Sequence, residues 1–260
     1  EQGVPYPTSH FLIETCEESG SFDLPPYLEA LSEQLGNPDL VVVLDSGGPD
    51  YEHIWVTEAL RGLVSGNLSV KVSHEGVHSG MSGGTIPSSF RIQRMLLDRV
   101  EDSVTGKVLI PEMHVEISDK VHEEATALAE LLGNGIWEQL PVVDSLLPQH
   151  PGSKEILLDM NWRPAMAVIG ADGMPPSQTA GNVLRTNTDL KLSFRIPPGV
   201  DAATVDELVK QRLEENPPYG AEVTYAQDAA ADGFHAPPMQ GKAAEALAQA
   251  SKHISGLPPM

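Results

Sequence analysis

Leu68, Val70 and Val72 take every second position in the stretch that begins near residue 61, the period of a strand with one face buried. The same alternation returns at 190–196, and a shorter apolar segment at 165–169 reads as a further strand. Between them the period lengthens. Phe90, Ile92, Met95, Leu96 and Val100 share one helical face over 88–100, and Val205, Leu208, Val209 and Leu213 share another behind Asp201 as N-cap. Ala221–Ala226 supplies a last strand. In chain order these elements spell β-α-β-β-α-β, a ferredoxin-like arrangement with an insertion at about 101–164.

The segment before residue 61 has a different texture. His10–Glu14 is apolar at its centre, and Leu40–Leu44 is a continuous apolar run of the kind found in buried parallel strands. Between them Asp23 precedes Pro25 and Pro26, a helix entry, with Leu28, Leu31 and Leu35 on one face and Gly36-Asn37 as the stop. The pattern predicts an α/β plus α+β chain. Residues 1–60 form part of a parallel-sheet domain, 61–228 an inserted ferredoxin-like domain, and 229–260 a return to the first, with an Ala-rich helix at 241–254.

Composition narrows the function. A net charge of −21, from 37 acidic against 16 basic side chains, opposes nucleic acid as the main partner. No apolar run reaches the roughly 18–20 residues of a membrane span. The single cysteine, Cys16, excludes an internal disulfide and fits a reducing, cytoplasmic setting. Glu1 to Thr8 carry no signal-peptide pattern and no initiating methionine, so the natural chain is expected to begin upstream.

Candidate chemistry gathers where the expected strands end. Glu17 and Glu18 follow the first strand and Asp45 the second, and carboxylates at neighbouring parallel strand ends converge on one crevice. Such oxygen ligands suit zinc or manganese, with a spare carboxylate acting as general base; solvated loop residues read the same way on spacing alone. His74-Glu75-Gly76-Val77-His78 matches H-E-x-x-H. That zinc motif requires a helix, and the strand-like lead-in and Gly76 argue against one. His78 itself stands in a Gly/Ser-rich turn, 76–84, lacking the Lys-Ser/Thr ending of a phosphate loop. Asn182 and Arg195 form a further pair, suited to a substrate carboxylate if both point one way, although a salt-bridged strand arginine fits Arg195 equally.

Taken in order, Cys16-Glu17-Glu18-Ser19-Gly20-Ser21, Asp45, His78-Ser79-Gly80 with Gly83-Gly84, Gly181-Asn182-Val183-Leu184 and Ser193-Phe194-Arg195 resemble metallopeptidase family 20, and within it the carnosinase-like dipeptidases. The resemblance implies a phosphorylase/hydrolase-like catalytic domain, a lid that also makes a homodimer contact, and a pair of divalent ions (zinc, manganese or cobalt). By this likeness Glu17 is the general base, and Glu18 and Asp45 are ligands to different ions. His78 is the lid histidine that meets the oxyanion in the partner subunit's site, and Asn182 and Arg195 hold a small peptide substrate. The family's H-x-D motif, bridging aspartate and final histidine ligand have no counterparts here; His10, His235 and His253 do not fit those places. The chain is therefore expected to be a fragment that binds metal weakly or not at all and is inactive alone. Two rivals remain: an N-acyl-amino-acid amidohydrolase (aminoacylase or deacetylase) of the same family, and a non-catalytic dimerisation module.

Overall fold

The computed structural model describes residues 7–45 and 47–260, and the chain divides into two units, Glu1–Ser46 and Gly47–Met260. In the first unit a single 3-10 turn, Glu17–Ser19, precedes α1 (Leu24–Ala30) and α2 (Ser32–Leu35). Pro25 and Pro26 sit in the first turn of α1, and Gly36 ends α2 at φ 60°. The continuous helix expected from Asp23 to Leu35 is instead interrupted at Leu31. Neither piece buries a residue, so no apolar face holds them in line.

The parallel strands expected at 10–14 and 40–44 do not form. Both stretches are irregular, and their apolar side chains face solvent, with Phe11 93% and Leu44 94% exposed. A parallel strand is stable only with ladder partners beside it and cover on both faces. Among the described residues neither stretch has a strand partner, and every strand pairing is antiparallel.

The second unit runs β1 (Ala59–Leu60), β2 (Gly62–Lys71), β3 (Val77–His78), α3 (Ser79–Ser82), α4 (Ser89–Leu97), α5 (Asp119–Leu132), α6 (Gly135–Glu138), α7 (Ser153–Asn161), β4 (Ala165–Asp172), β5 (Val183–Leu184), β6 (Asn187–Ile196), α8 (Ala202–Glu214), β7 (Glu222–Ala231), β8 (Phe234–His235) and α9 (Gly241–Ile254). Its main sheet has the order β4-β6-β2-β7. With α4 after β2 and α8 after β6, that is the strand order of a β-α-β-β-α-β unit. Alternation decides the faces. Val64, Leu68 and Val70 of β2 and Leu190, Leu192, Phe194 and Ile196 of β6 point into one core with Ile92 and Leu96 of α4 and Val205, Val209 and Leu213 of α8. Side-chain caps start both helices: Ser88 accepts from the Arg91 amide at 3.2 Å, and Asp201 from that of Thr204 at 2.7 Å.

The stretch at 101–164 is not a plain loop. α5 and α7 build a small core of their own from Val121, Ala125 and Leu158, with Trp162 against it. Residues on either side of the main sheet also meet: Ala59 pairs with His235, Leu60 with Phe234, and the Val56 amide donates to the Met260 carbonyl at 2.7 Å. Among the described residues no helix is long and apolar enough to cross a membrane.

Candidate functional site

The predicted residues fall in both units. In the first, Glu17 and Glu18 occupy the 3-10 turn that follows Cys16, closed by Gly20 at φ 98°, where its amide reaches the Glu17 carbonyl at 2.8 Å. A left-handed residue suits glycine there. Asp45 lies in the same unit, and its carboxylate pushes the Glu17 carboxyl above its ordinary value, with lost hydration and the charges of Glu18 and Glu14 adding to the effect. Like charges gathered this way favour holding a proton or a cation. The donors present do not make a metal centre by themselves: among the described residues no group of three or more His, Cys, Asp and Glu is placed to hold an ion, and zinc sites use at least three protein ligands.

In the second unit the structure joins two of the predicted residues. β3 and β5 form a short antiparallel ribbon in which His78 pairs with Val183 and Val77 with Leu184, and the Ser79 amide donates to the Asn182 carbonyl at 2.9 Å. The ribbon packs closely at Gly76, where an added Cβ would lie 2.8 Å from Val183 Cγ1. The H-E-x-x-H stretch is thus not helical, and His78 instead caps α3: its Nδ1 accepts from the Gly80 amide at 3.1 Å. That bond places the proton of the neutral ring on Nε2. The Nε2 group makes no hydrogen bond among the described residues and the side chain is exposed, so it can donate outward.

Arg195 stands on the sheet face away from the core, between Leu63 of β2 and Ala165 of β4. Its guanidinium makes no hydrogen bond or ion pair among the described residues, which removes the salt-bridged alternative. On the same face Lys191 is spoken for by Asp228, whose carboxyl it holds below the ordinary value. Sequence reasoning passed over Arg61, two residues before Leu63. Its Nη1 donates to the carbonyls of Asp159 at 2.9 Å and Arg163 at 3.2 Å. Only the outward parity it shares with Leu63 and Arg195 could have flagged it. A separate cleft of about 210 Å³, lined by Lys71, Ser73, His74, Tyr219 and Glu222 among others, contains none of the predicted site residues.

No protein-family model matches the chain. Among curated proteins it is 26% identical over 220 residues to the Cys-Gly metallodipeptidase dug1 of Schizosaccharomyces pombe, covering 82% of this chain and 45% of that protein. It is 25% identical over 218 residues to human Beta-Ala-His dipeptidase, covering 83% and 42%. The chain thus spans less than half the length of these relatives. Among solved structures, the di-peptidase Dug1p of Saccharomyces cerevisiae superposes with a TM-score of 0.73 at 22% identity, over 95% of this chain and 52% of that one. Human carnosine dipeptidase 1 gives 0.71 at 19%, over 94% and 51%. An M20 family metallo-carboxypeptidase of Sulfolobus solfataricus gives 0.67 at 17%, over 93% and 54%. By sequence the chain is related to two metallodipeptidases, and it shares its fold with about half of each of these solved structures.

Proposed function

We propose that this chain is the part of a metal-dependent hydrolase that carries the general base and the lid, and that the whole enzyme cleaves dipeptides or short peptides. The observation that carries this reading is the sequence similarity to two dipeptidases over more than four-fifths of the chain. Glu17, held among like charges, is the group that takes a proton from water. Glu18 and Asp45 would serve as carboxylate ligands to a divalent pair (zinc, manganese or cobalt), together with further ligands that the described residues do not supply. His78, with Nε2–H facing outward, donates to the developing oxyanion in the partner subunit's site. Asn182, tied to the same ribbon, and the unpartnered Arg195 hold the substrate's backbone and carboxylate. Residues 61–228 act as lid and dimer contact, and the enzyme is cytoplasmic.

The test has two arms. The purified 260-residue chain, supplied with zinc, manganese or cobalt, is expected to bind metal substoichiometrically and turn over no dipeptide; stoichiometric metal with turnover would overturn the assignment of missing ligands. A longer chain containing these residues is expected to hydrolyse dipeptides in preference to N-acyl amino acids, with Glu17→Gln lowering kcat by about 10²–10⁴-fold. Preference for N-acyl amino acids would move the enzyme to the amidohydrolase reading.

A further inference from the structure

Arg61 sits at the junction of β1 and β2, two residues before Leu63, the register partner of Arg195. Such diagonal positions on one sheet face lie about 7–8 Å apart, within reach of long side chains. Two observations make the pair unusual. Each guanidinium carries five N–H donors, yet Arg61 uses only Nη1, toward two backbone carbonyls, and Arg195 uses none among the described residues. Among the described residues no carboxylate forms an ion pair with either; the nearby acids Glu155 and Asp159 are bound to Arg163. Burial weakens the hold of Arg61 on its proton, the Arg195 charge adds to that, and Asp159 opposes it. Two cations whose charges oppose one another, with Asp159 the anion acting on Arg61 and its carboxylate already bonded to Arg163, leave a place that an anionic ligand would stabilise.

We infer that Arg61 is a second carboxylate-binding residue, sharing with Arg195 one carboxylate of the bound peptide through its free Nε and Nη2 groups. The inference rests on the reading of Arg195 as a substrate-binding residue. Anchoring by the Asp159 and Arg163 carbonyls fixes the fork of Arg61 before the ligand arrives, so little side-chain freedom is lost on binding. On this face Arg195 is flanked by the small Ala165 on one side and by Leu63 on the other, and its side chain is exposed.

The experiment is an acetate titration of the 260-residue chain, followed through the arginine Nε–H resonances. Both Arg61 and Arg195 are expected to shift with one shared dissociation constant. Arg195→Gln should raise that constant about tenfold or more, and Arg61→Gln about three- to tenfold. The Arg61→Gln effect should shrink toward none in 1 M salt, where the screening length is about 3 Å; a purely structural role would not respond in this way. Arg61→Lys, which keeps the charge and loses the fork, should fall between, and serves if Arg61→Gln melts early. Should Arg195 respond while Arg61 stays silent and Arg61→Gln binds as the parent does, the inference fails and the role of Arg195 stands. Should neither respond, both fail.

Discussion

Asp206 shows what a single residue can contribute in a fold of this kind. It lies on α8, 6% exposed, and among the described residues its Oδ1 has no hydrogen-bond partner; neither has the buried hydroxyl of Tyr225 on β7. Burial pushes the Asp206 carboxyl above its ordinary value, because loss of water penalises the charged form most. A carboxyl whose folded value is raised stabilises the fold in its protonated state. That contribution is complete below the unfolded value of about 4 and is lost as pH rises through the folded value. Asp206→Asn, which is neutral throughout, should therefore melt about 2–4 °C higher than the parent near pH 7, with the gap closing toward pH 4. Melting curves across that range check it, and a pH-independent difference would sink the explanation. At this scale the sequence was partly legible. His78 and Asn182 were singled out from their surroundings, and the structure brings them to one ribbon. Arg61 and Asp206 were not found, because their importance comes from neighbours more than 90 and about 20 positions away in the chain, respectively.

Elements were legible where the period was sustained and illegible where it was short. Alternation made β6 readable over 190–196 to its C-terminal end, although the strand begins three residues earlier at Asn187, and α8 followed from its cap and its inward face. The apolar runs at 10–14 and 40–44 carry no period, only hydrophobicity, and a strand is defined by partners that such a run does not name. The ribbon of β3 and β5 spans two residues per strand and is set by close backbone approach at Gly76, which composition does not reveal. Gly66 is a similar case in β2. The register of β2 against β7 shifts between Ser65 and Gly66, and the Tyr225 ring lies where a Gly66 side chain would be, with an added Cβ 2.4 Å from Cζ. Tyr225 is fully buried and has nowhere to move. Gly66→Ala should consequently destabilise the second unit by about 1–3 kcal/mol, read as a lower denaturant midpoint. An unchanged midpoint would mean that the ring yields more easily than its packing implies.

At the scale of the whole molecule, the main sheet presents β4 as an edge. Among the described residues it pairs only with β6, and Ala167, Val168 and Ile169 lie exposed along it, Ile169 at 61%. An apolar edge with unused backbone donors and acceptors is a template for another strand, and natural edges are usually blunted by charge. Here the nearest equivalent is the irregularity between Val168 and Gly170, which interrupts the ladder without adding a charge. The strong negative charge of the chain, −21, keeps copies apart at long range; salt weakens that repulsion while the contact of apolar surface persists. For the proposed homodimer through residues 61–228 we take the contact to be strand beside strand at β4, a form with a specific dependence on conditions. Sedimentation at physiological salt should give twice the 27.9 kDa chain mass, with the dimer fraction rising as salt is added. Ile169→Lys, which places a charge on the exposed edge without touching the core, should return the chain to a monomer with an unchanged melting temperature. If the parent sediments as a monomer at every salt concentration, the dimer belongs to some other surface or to no part of this chain. If Ile169→Lys remains a dimer, the contact lies elsewhere within 61–228, and β4 is simply an exposed edge.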